Sequence, residues 1–245
     1  MLIETLPDMS GESLPALILP QGKDEGSKGK RARHFLCLNV KQKVAPIQPH
    51  LSAILLAAGL STRMAHNKAL LPWLGSTLLE YQLRQLSQSR VQDIVLVLGH
   101  EAEKLRPLAT GFPGVKTVTN AAYKEGRAGS VVVGASALSP QTSAVLVLGV
   151  DQPRPTEVLD LVIQAHLDGP GLITIPTYEG RRGHPVVFDG SLIGEIKDVS
   201  EANQGLRQVV RRDPERVHEL SVSYPVVLLD INTPEDYQRE ASAKL

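Results

Sequence analysis

Ser52-Ala53-Ile54-Leu55-Leu56-Ala57-Ala58 runs into Gly59-Leu60-Ser61-Thr62-Arg63-Met64, and Lys68 follows shortly after. Seven uncharged residues end abruptly at a glycine. A run that is apolar on both faces suits a central parallel strand, covered above and below by helices. Gly59 lets the backbone turn sharply and approach a ligand closely. The amides after it can converge on one anion. Ser61 adds a hydroxyl, Arg63 a planar fork matched to phosphate oxygens, and Lys68 a compact point charge. Together these suit a triphosphate. The stretch has no Gly-x-Gly-x-x-Gly, so it is not a dinucleotide fingerprint. Lys68 lacks the preceding glycine and following Ser or Thr of a P-loop.

Downstream the same texture repeats. Asp93–Gly99, Val115–Asn120, Ala144–Val150, Gly171–Thr177, Val186–Asp189, Val217–Val222 and Val226–Ile231 read as strands. Thr77-Leu78-Leu79-Glu80 is a capping box opening a helix with Leu79, Leu83 and Leu86 on one face. Gly129–Leu138 reads as a small-residue helix. Thr156 reads as the cap of a helix carrying Leu159, Val162, Ile163 and His166 on one face. Thr233 caps a last helix with Pro234 at its first position. This alternation predicts an α/β fold: a doubly wound, mostly parallel, Rossmann-like sheet with helices on both faces. Ligands of such sheets bind at the carboxyl ends of the strands. Gly59–Arg63, Gly99-His100, Asn120 and Asp151 fall there.

Composition narrows the function. Among 245 residues, 26 Lys and Arg balance 26 Asp and Glu, so the formal net charge is zero. That argues against a dedicated nucleic-acid binder. A single cysteine, Cys37, rules out an internal disulfide framework and points to the cytoplasm. No apolar run approaches the length that spans a bilayer. Residues 1–20 carry Glu4, Asp8 and Glu12 and no base, unlike a secretory signal. Residues 21–45 hold seven bases against Asp24 and Glu25, and Gly22–Arg33 lacks apolar periodicity. Residues 1–48 therefore read as a disordered, dispensable extension, and residues 49–245 as one domain.

The stretch Leu56–Met64, with Lys68-Ala69-Leu70-Leu71-Pro72 behind it, resembles the signature of MobA-like nucleotidyltransferases, most closely the molybdenum cofactor cytidylyltransferases. The later landmarks come in order. Asn120 with Gly126 and Ser130 is followed by Gly149-Val150-Asp151-Gln152-Pro153. Then come Gly180-Arg181-Arg182-Gly183-His184-Pro185-Val186 and Asp230-Ile231-Asn232-Thr233-Pro234-Glu235-Asp236. The resemblance covers residues 51–240. Ala65 stands where the family usually has Gly, and Asn67 where it has Pro or Asp.

The resemblance implies a nucleotide site of Leu56, Ala57, Ala58, Gly59, Ser61, Arg63, Lys68, Asn120 and Ser130. It implies catalytic roles for Arg63, Lys68 and Asp151, and Mg²⁺ held by Asp151 and Asp230. It makes Arg182, Gly183, His184 and Pro185 an acceptor loop. The implied reaction uses CTP: a phosphate oxygen of a molybdopterin-type acceptor attacks the α-phosphorus, and pyrophosphate leaves. The product would pass to a molybdenum hydroxylase. A phosphomonoester is largely ionised at neutral pH, so no general base is required. Ala58 stands where the guanylyl-transferring branch has Gly, and its methyl leaves less room beside the base. Three alternatives stay open: a GTP-using guanylyltransferase for the same cofactor, another phosphorylated acceptor, or a non-catalytic cofactor-delivery protein. Loss of Lys68 or Asp151 would mark the last, and both are present.

Overall fold

In the computed structural model, which describes residues 49–64 and 66–242, the decisive apolar run becomes β1 (His50–Ala57), buried along all but its first residue. The expectation for residues 1–48, the departure at Ala65 and Cys37 lie outside the described residues. The other strands are β2 (Pro72–Trp73), β3 (Ser76–Thr77), β4 (Asp93–Leu98), β5 (Val115–Thr119), β6 (Thr142–Gly149), β7 (Ile173–Tyr178), β8 (Arg181–Arg182), β9 (Val186–Asp189) and β10 (Val217–Ser221). The α-helices are α1 (Leu78–Gln88), α2 (Ala102–Leu105), α3 (Arg127–Ser136), α4 (Thr156–Asp168), α5 (Ile193–Lys197), α6 (Leu206–Arg212) and α7 (Pro234–Ser242).

Eight strands form one sheet in the order β10-β7-β9-β6-β1-β4-β5, with β8 paired to β7, and β2 and β3 form a small separate ribbon. β1 runs parallel to both β4 and β6. β9 runs antiparallel between β6 and β7. The sheet is thus mostly parallel, as the alternation predicts.

The packing of β1 shows why Ala53–Ala57 is apolar throughout. Its side chains alternate between faces. Ala53, Leu55 and Ala57 join a core with Leu79, Leu83 and Leu86 of α1 and Leu159, Val162 and Ile163 of α4. Ile54 and Leu56 join the opposite core with Val131 and Ala135 of α3, Ile196 of α5 and Val209 of α6. Helices on both faces leave no polar face for β1 to present. The small residues of α3 let it press closely: a Cβ on Gly134 would lie 2.6 Å from Ile54 Cγ2. α1 opens with the expected capping box, Thr77 Oγ1 accepting from Glu80 N and Glu80 accepting from Thr77 N.

Two local expectations are corrected. Thr156 is the first residue of α4 with Pro155 at its cap position; its amide and hydroxyl bond to Gln85 instead. Val226–Ile231 is not a strand. Pro225–Leu228 is a 3-10 turn, followed by extended chain. Val227 and Ile231 are fully buried, which explains the apolar pattern. Their backbone groups, however, bond to loops rather than to a neighbouring strand: Val227 O accepts from His184 N, and Ile231 N donates to Asp151 O.

Candidate functional site

The turn after β1 is fixed by its own polar groups. Ser61 adopts the left-handed region at φ 52°, a strained choice for a residue with a side chain. Its hydroxyl accepts from Lys68 N at 3.2 Å and its carbonyl from Met64 N at 2.8 Å. Asn67 caps the following 3-10 turn, accepting from Ala69 N at 3.0 Å. That local bond accounts for a short polar side chain at the departing position. The result aims Lys68 inward, only 8% exposed. Its Nζ donates to Asp151 Oδ2 at 3.2 Å and to Asn232 Oδ1 at 3.1 Å. Arg63 Nη2 donates to the same Asn232 oxygen at 3.3 Å from the exposed side.

These groups line a cleft of about 390 Å³ at the carboxyl end of the sheet. Leu56, Ala57, Ala58, Gly59, Ser61, Arg63, Lys68, Ser130 and Asp151 all face it. Asn120 does not. It is buried behind the wall, donating to Ser130 Oγ at 3.0 Å and accepting from Ala122 N at 3.0 Å, so it fixes a lining residue. Ala58 lies close against Gly99, which must lack a side chain. A Cβ on Gly99 would lie 2.8 Å from Ala58 Cβ and 2.7 Å from Tyr123 Cβ. His100, whose ring lies 6.0 Å from that of Tyr123, lines a neighbouring pocket of about 260 Å³ with Asn67 and Glu101.

The segments that carry the two carboxylates meet where β6 ends, with Asp151 on the cleft and Asp230 not among its lining residues. Asp151 O accepts from Ile231 N at 2.9 Å, which brings the 230–232 segment beside it. Gly149 makes room: a Cβ there would lie 2.4 Å from Asp151 Oδ1 and 2.9 Å from Arg127 Nη2. Asp230 Oδ1 is buried and has no hydrogen-bond partner among the described residues. Buried polar atoms are nearly always satisfied, so this oxygen wants a partner. Two carboxylates with a free buried oxygen fit a hard cation whose remaining positions come from water and phosphate. No group of three His, Cys, Asp or Glu suited to a metal occurs among the described residues.

None of the expected acceptor residues Arg182, Gly183, His184 and Pro185 lines the cleft. Gly183 N donates to Pro176 O, and a Cβ on Gly183 would lie 2.3 Å from Val227 O, so the loop is pressed onto the 227 segment. The His184-Pro185 bond is cis and Pro185 is buried. Arg182 departs from expectation. The pairing of β8 with β7 places it at the sheet edge, where it meets Glu219 at 2.6 Å, and it does not line the cleft. Burial pushes the His184 ring down to about 4; Asp230 opposes that lowering, and Arg154 and Arg127 add to it. The fold thus favours the neutral ring. Its contribution to stability is complete above the ordinary value of 6.5 and is lost as pH falls from there toward 4. We expect Tm to drop across that window. His184→Gln should flatten the profile; an unchanged pH dependence of Tm in that variant would contradict the assignment.

Reading the sequence alone missed Lys124, Arg127 and Asn232, all on the cleft. Arg127 lies between Gly126 and Ser130, and Asn232 inside the Asp230–Asp236 landmark, so their neighbours were the available signal. Arg154 was also missed, and nothing in a Gln-Pro-Arg-Pro context marks a buried cation.

The chain matches the MobA-like NTP transferase domain over residues 53–217. It is 30% identical over 201 residues to the Nicotine blue oxidoreductase of Paenarthrobacter nicotinovorans, covering 78% of this chain and 96% of that one. It is 26% identical over 189 residues to the Molybdenum cofactor cytidylyltransferase of Escherichia coli strain K12, covering 76% and 93%. The crystal structure of Rv0371c from Mycobacterium tuberculosis H37Rv superposes with a TM-score of 0.69 at 28% identity, covering 79% of this chain and 98% of that one. A further structure of that protein is a complex with manganese, at 25% identity and a TM-score of 0.65, covering 80% and 100%. No helix among the described residues is long and apolar enough to cross a membrane. With the matched domain spanning the glycine loop, the Asp151 strand end and most of the sheet, the chain belongs to the MobA-like NTP transferase family of nucleotidyltransferases.

Proposed function

We propose that residues 49–245 transfer CMP from CTP to the phosphate of a molybdopterin-type acceptor and release pyrophosphate. The observation that carries this reading is the meeting of Lys68 with Asp151 and Asn232 at the end of β6, beside the Ser61 turn. A buried ammonium between the anion-binding loop and a carboxylate suits the centre of a triphosphate site. In the free protein Asp151 partners Lys68; the incoming phosphates take over that ammonium. Arg63, exposed at the rim, binds the outer phosphates and the leaving pyrophosphate. Asp151 and Asp230 would hold Mg²⁺, which supplies charge neutralisation at the α-phosphate. Such transfers depend chiefly on positioning and charge stabilisation.

Arg127 takes the acceptor role expected of Arg182. Its guanidinium lies over Gly149 beside Asp151, and its charge reaches His184. It therefore stands between the nucleotide loop and the His184 loop, where an acceptor phosphate must arrive. The methyl of Ala58, on the cleft wall, supports a pyrimidine over a purine base. A molybdenum hydroxylase would receive the product.

Thermal shift with Mg²⁺ and CTP, GTP or ATP tests the nucleotide, and pyrophosphate release with and without molybdenum cofactor tests the acceptor. We expect stabilisation by CTP to exceed that by GTP, and release to require the cofactor. Equal or stronger stabilisation by GTP would turn the reading to a guanylyltransferase. A second reading comes from the 30% identity to an oxidoreductase: substrate reduction without pyrophosphate release from any nucleotide would favour it.

A further inference from the structure

Arg154 heads the fully buried side chains of the fold, at 0% exposure, and the transfer chemistry above does not use it. Its guanidinium makes four hydrogen bonds, all to main-chain carbonyls. Nε donates to His184 O at 2.9 Å. Nη1 donates to Pro153 O at 3.1 Å and Leu229 O at 2.9 Å, and Nη2 to Val227 O at 2.8 Å. Its own amide donates to Gln82 Oε1 at 3.2 Å, and Gln82 Nε2 donates to Gly149 O and Gln152 O. One side chain thus ties together the loop after Asp151, the His184 loop and the segment leading to Asp230.

The bonds alone do not explain why a charge sits there. A buried cation without an ion pair is costly, and Arg154 forms no salt bridge among the described residues. Burial lowers its pKa to about 10, which leaves it charged at neutral pH. The charges that oppose the lowering are Asp230 first and Asp151 second. Asp151 lines the cleft; Asp230, whose Oδ1 is buried and unsatisfied, lies behind the lining and directly follows Leu229, whose carbonyl Arg154 holds.

We propose that Arg154 is a positioning residue: a buried cation that locks the Asp151, His184 and Asp230 segments into one unit and balances the carboxylate pair from behind. The proposal rests on the reading of Asp151 and Asp230 as cation ligands. Its planar fork sets the spacing of three loops that share no strand pairing with one another.

Two substitutions separate fork from charge. Arg154→Lys keeps the charge and loses the fork. Mn²⁺ alone, titrated by electron paramagnetic resonance, should bind at least about fivefold more weakly to that variant. CTP binding in EDTA should be unchanged, because the Ser61 turn does not touch Arg154. Unaltered Mn²⁺ affinity would overturn the positioning role. Arg154→Met removes fork and charge, and metal-free Tm should fall by roughly 10 °C. Adding Asp230→Asn should restore at least a third of that loss, since the buried carboxylate no longer needs its counter-charge. If Arg154→Met fails to fold, the double variant should fold where the single one does not. Purely additive losses, or a double variant that also fails, would overturn the counter-charge role. Absence of Mn²⁺ binding by the unmodified protein would instead overturn the metal reading of the two carboxylates, and the metal-free Tm cycle would still decide the role of Arg154.

Discussion

Asp151→Asn is expected to lower turnover at least about a hundredfold. Asparagine keeps the size and much of the hydrogen bonding but removes the negative charge. A divalent cation would lose an anionic ligand, and stabilisation of developing charge by such a cation is worth several kcal/mol. Each 1.36 kcal/mol is tenfold in rate. Metal-free stability should fall as well. Asp151 pairs with Lys68 at 3.2 Å, and the charge of Arg154 bears on both carboxylates. Loss of the pair should cost ~1 kcal/mol, or a Tm lower by roughly 2–4 °C in a chain of this size. Asp230→Asn should match the turnover loss, and the double variant should lose less than the sum. Steady-state turnover and Tm of the three variants check this. Should Asp151→Asn unfold while Asp230→Asn turns over normally, the two do not share a cation and Asp151 is a structural turn residue.

Lys68→Ala and Arg63→Ala should differ, although both carry a positive charge to the same cleft. Each removes a charge-assisted contact to phosphate worth roughly 1.5–3 kcal/mol, so CTP affinity should fall about ten- to a hundredfold in either. Arg63 is exposed and touches the rest of the site through one 3.3 Å bond to Asn232. Its loss should leave Tm unchanged. Lys68 is buried and bridges Asp151 and Asn232. Its loss strands a part-buried carboxylate, so Tm should fall by a few degrees as affinity does. Calorimetric titration of CTP together with melting curves separates the two. Normal CTP binding by both variants would remove the phosphate-loop reading altogether.

The parts of this protein that the sequence determined are those where neighbouring residues settle the matter among themselves. From Ala53 to Ala57 β1 is apolar at every position because both faces are covered, and that is legible as an uncharged run. The Thr77–Glu80 box fixes the start of α1 within four residues. The glycine turn, its serine, arginine and lysine lie within ten residues, so the anion-binding loop needed no distant partner to be recognised. Tertiary structure decided what depends on long-range pairing. Val226–Ile231 is apolar because Val227 and Ile231 fill the core, and burial alone does not distinguish a strand from a packed loop. Its carbonyls were claimed by Arg154 and by the His184 amide, both from other segments. Arg182 turned to Glu219 because the strand pairing of β8 sends alternate side chains to opposite sides. Asn120 is read as a ligand from its place at a strand end, yet packing put it one layer behind Ser130. Arg127 and Arg154 acquire their places from contacts 22 or more residues away in the chain, Gly149 for one and His184, Val227 and Leu229 for the other. Local chemistry sets the turn and the cap; where a charge ends up, and whether it faces ligand or protein, depends on which distant backbone groups the folded sheet brings within hydrogen-bonding reach.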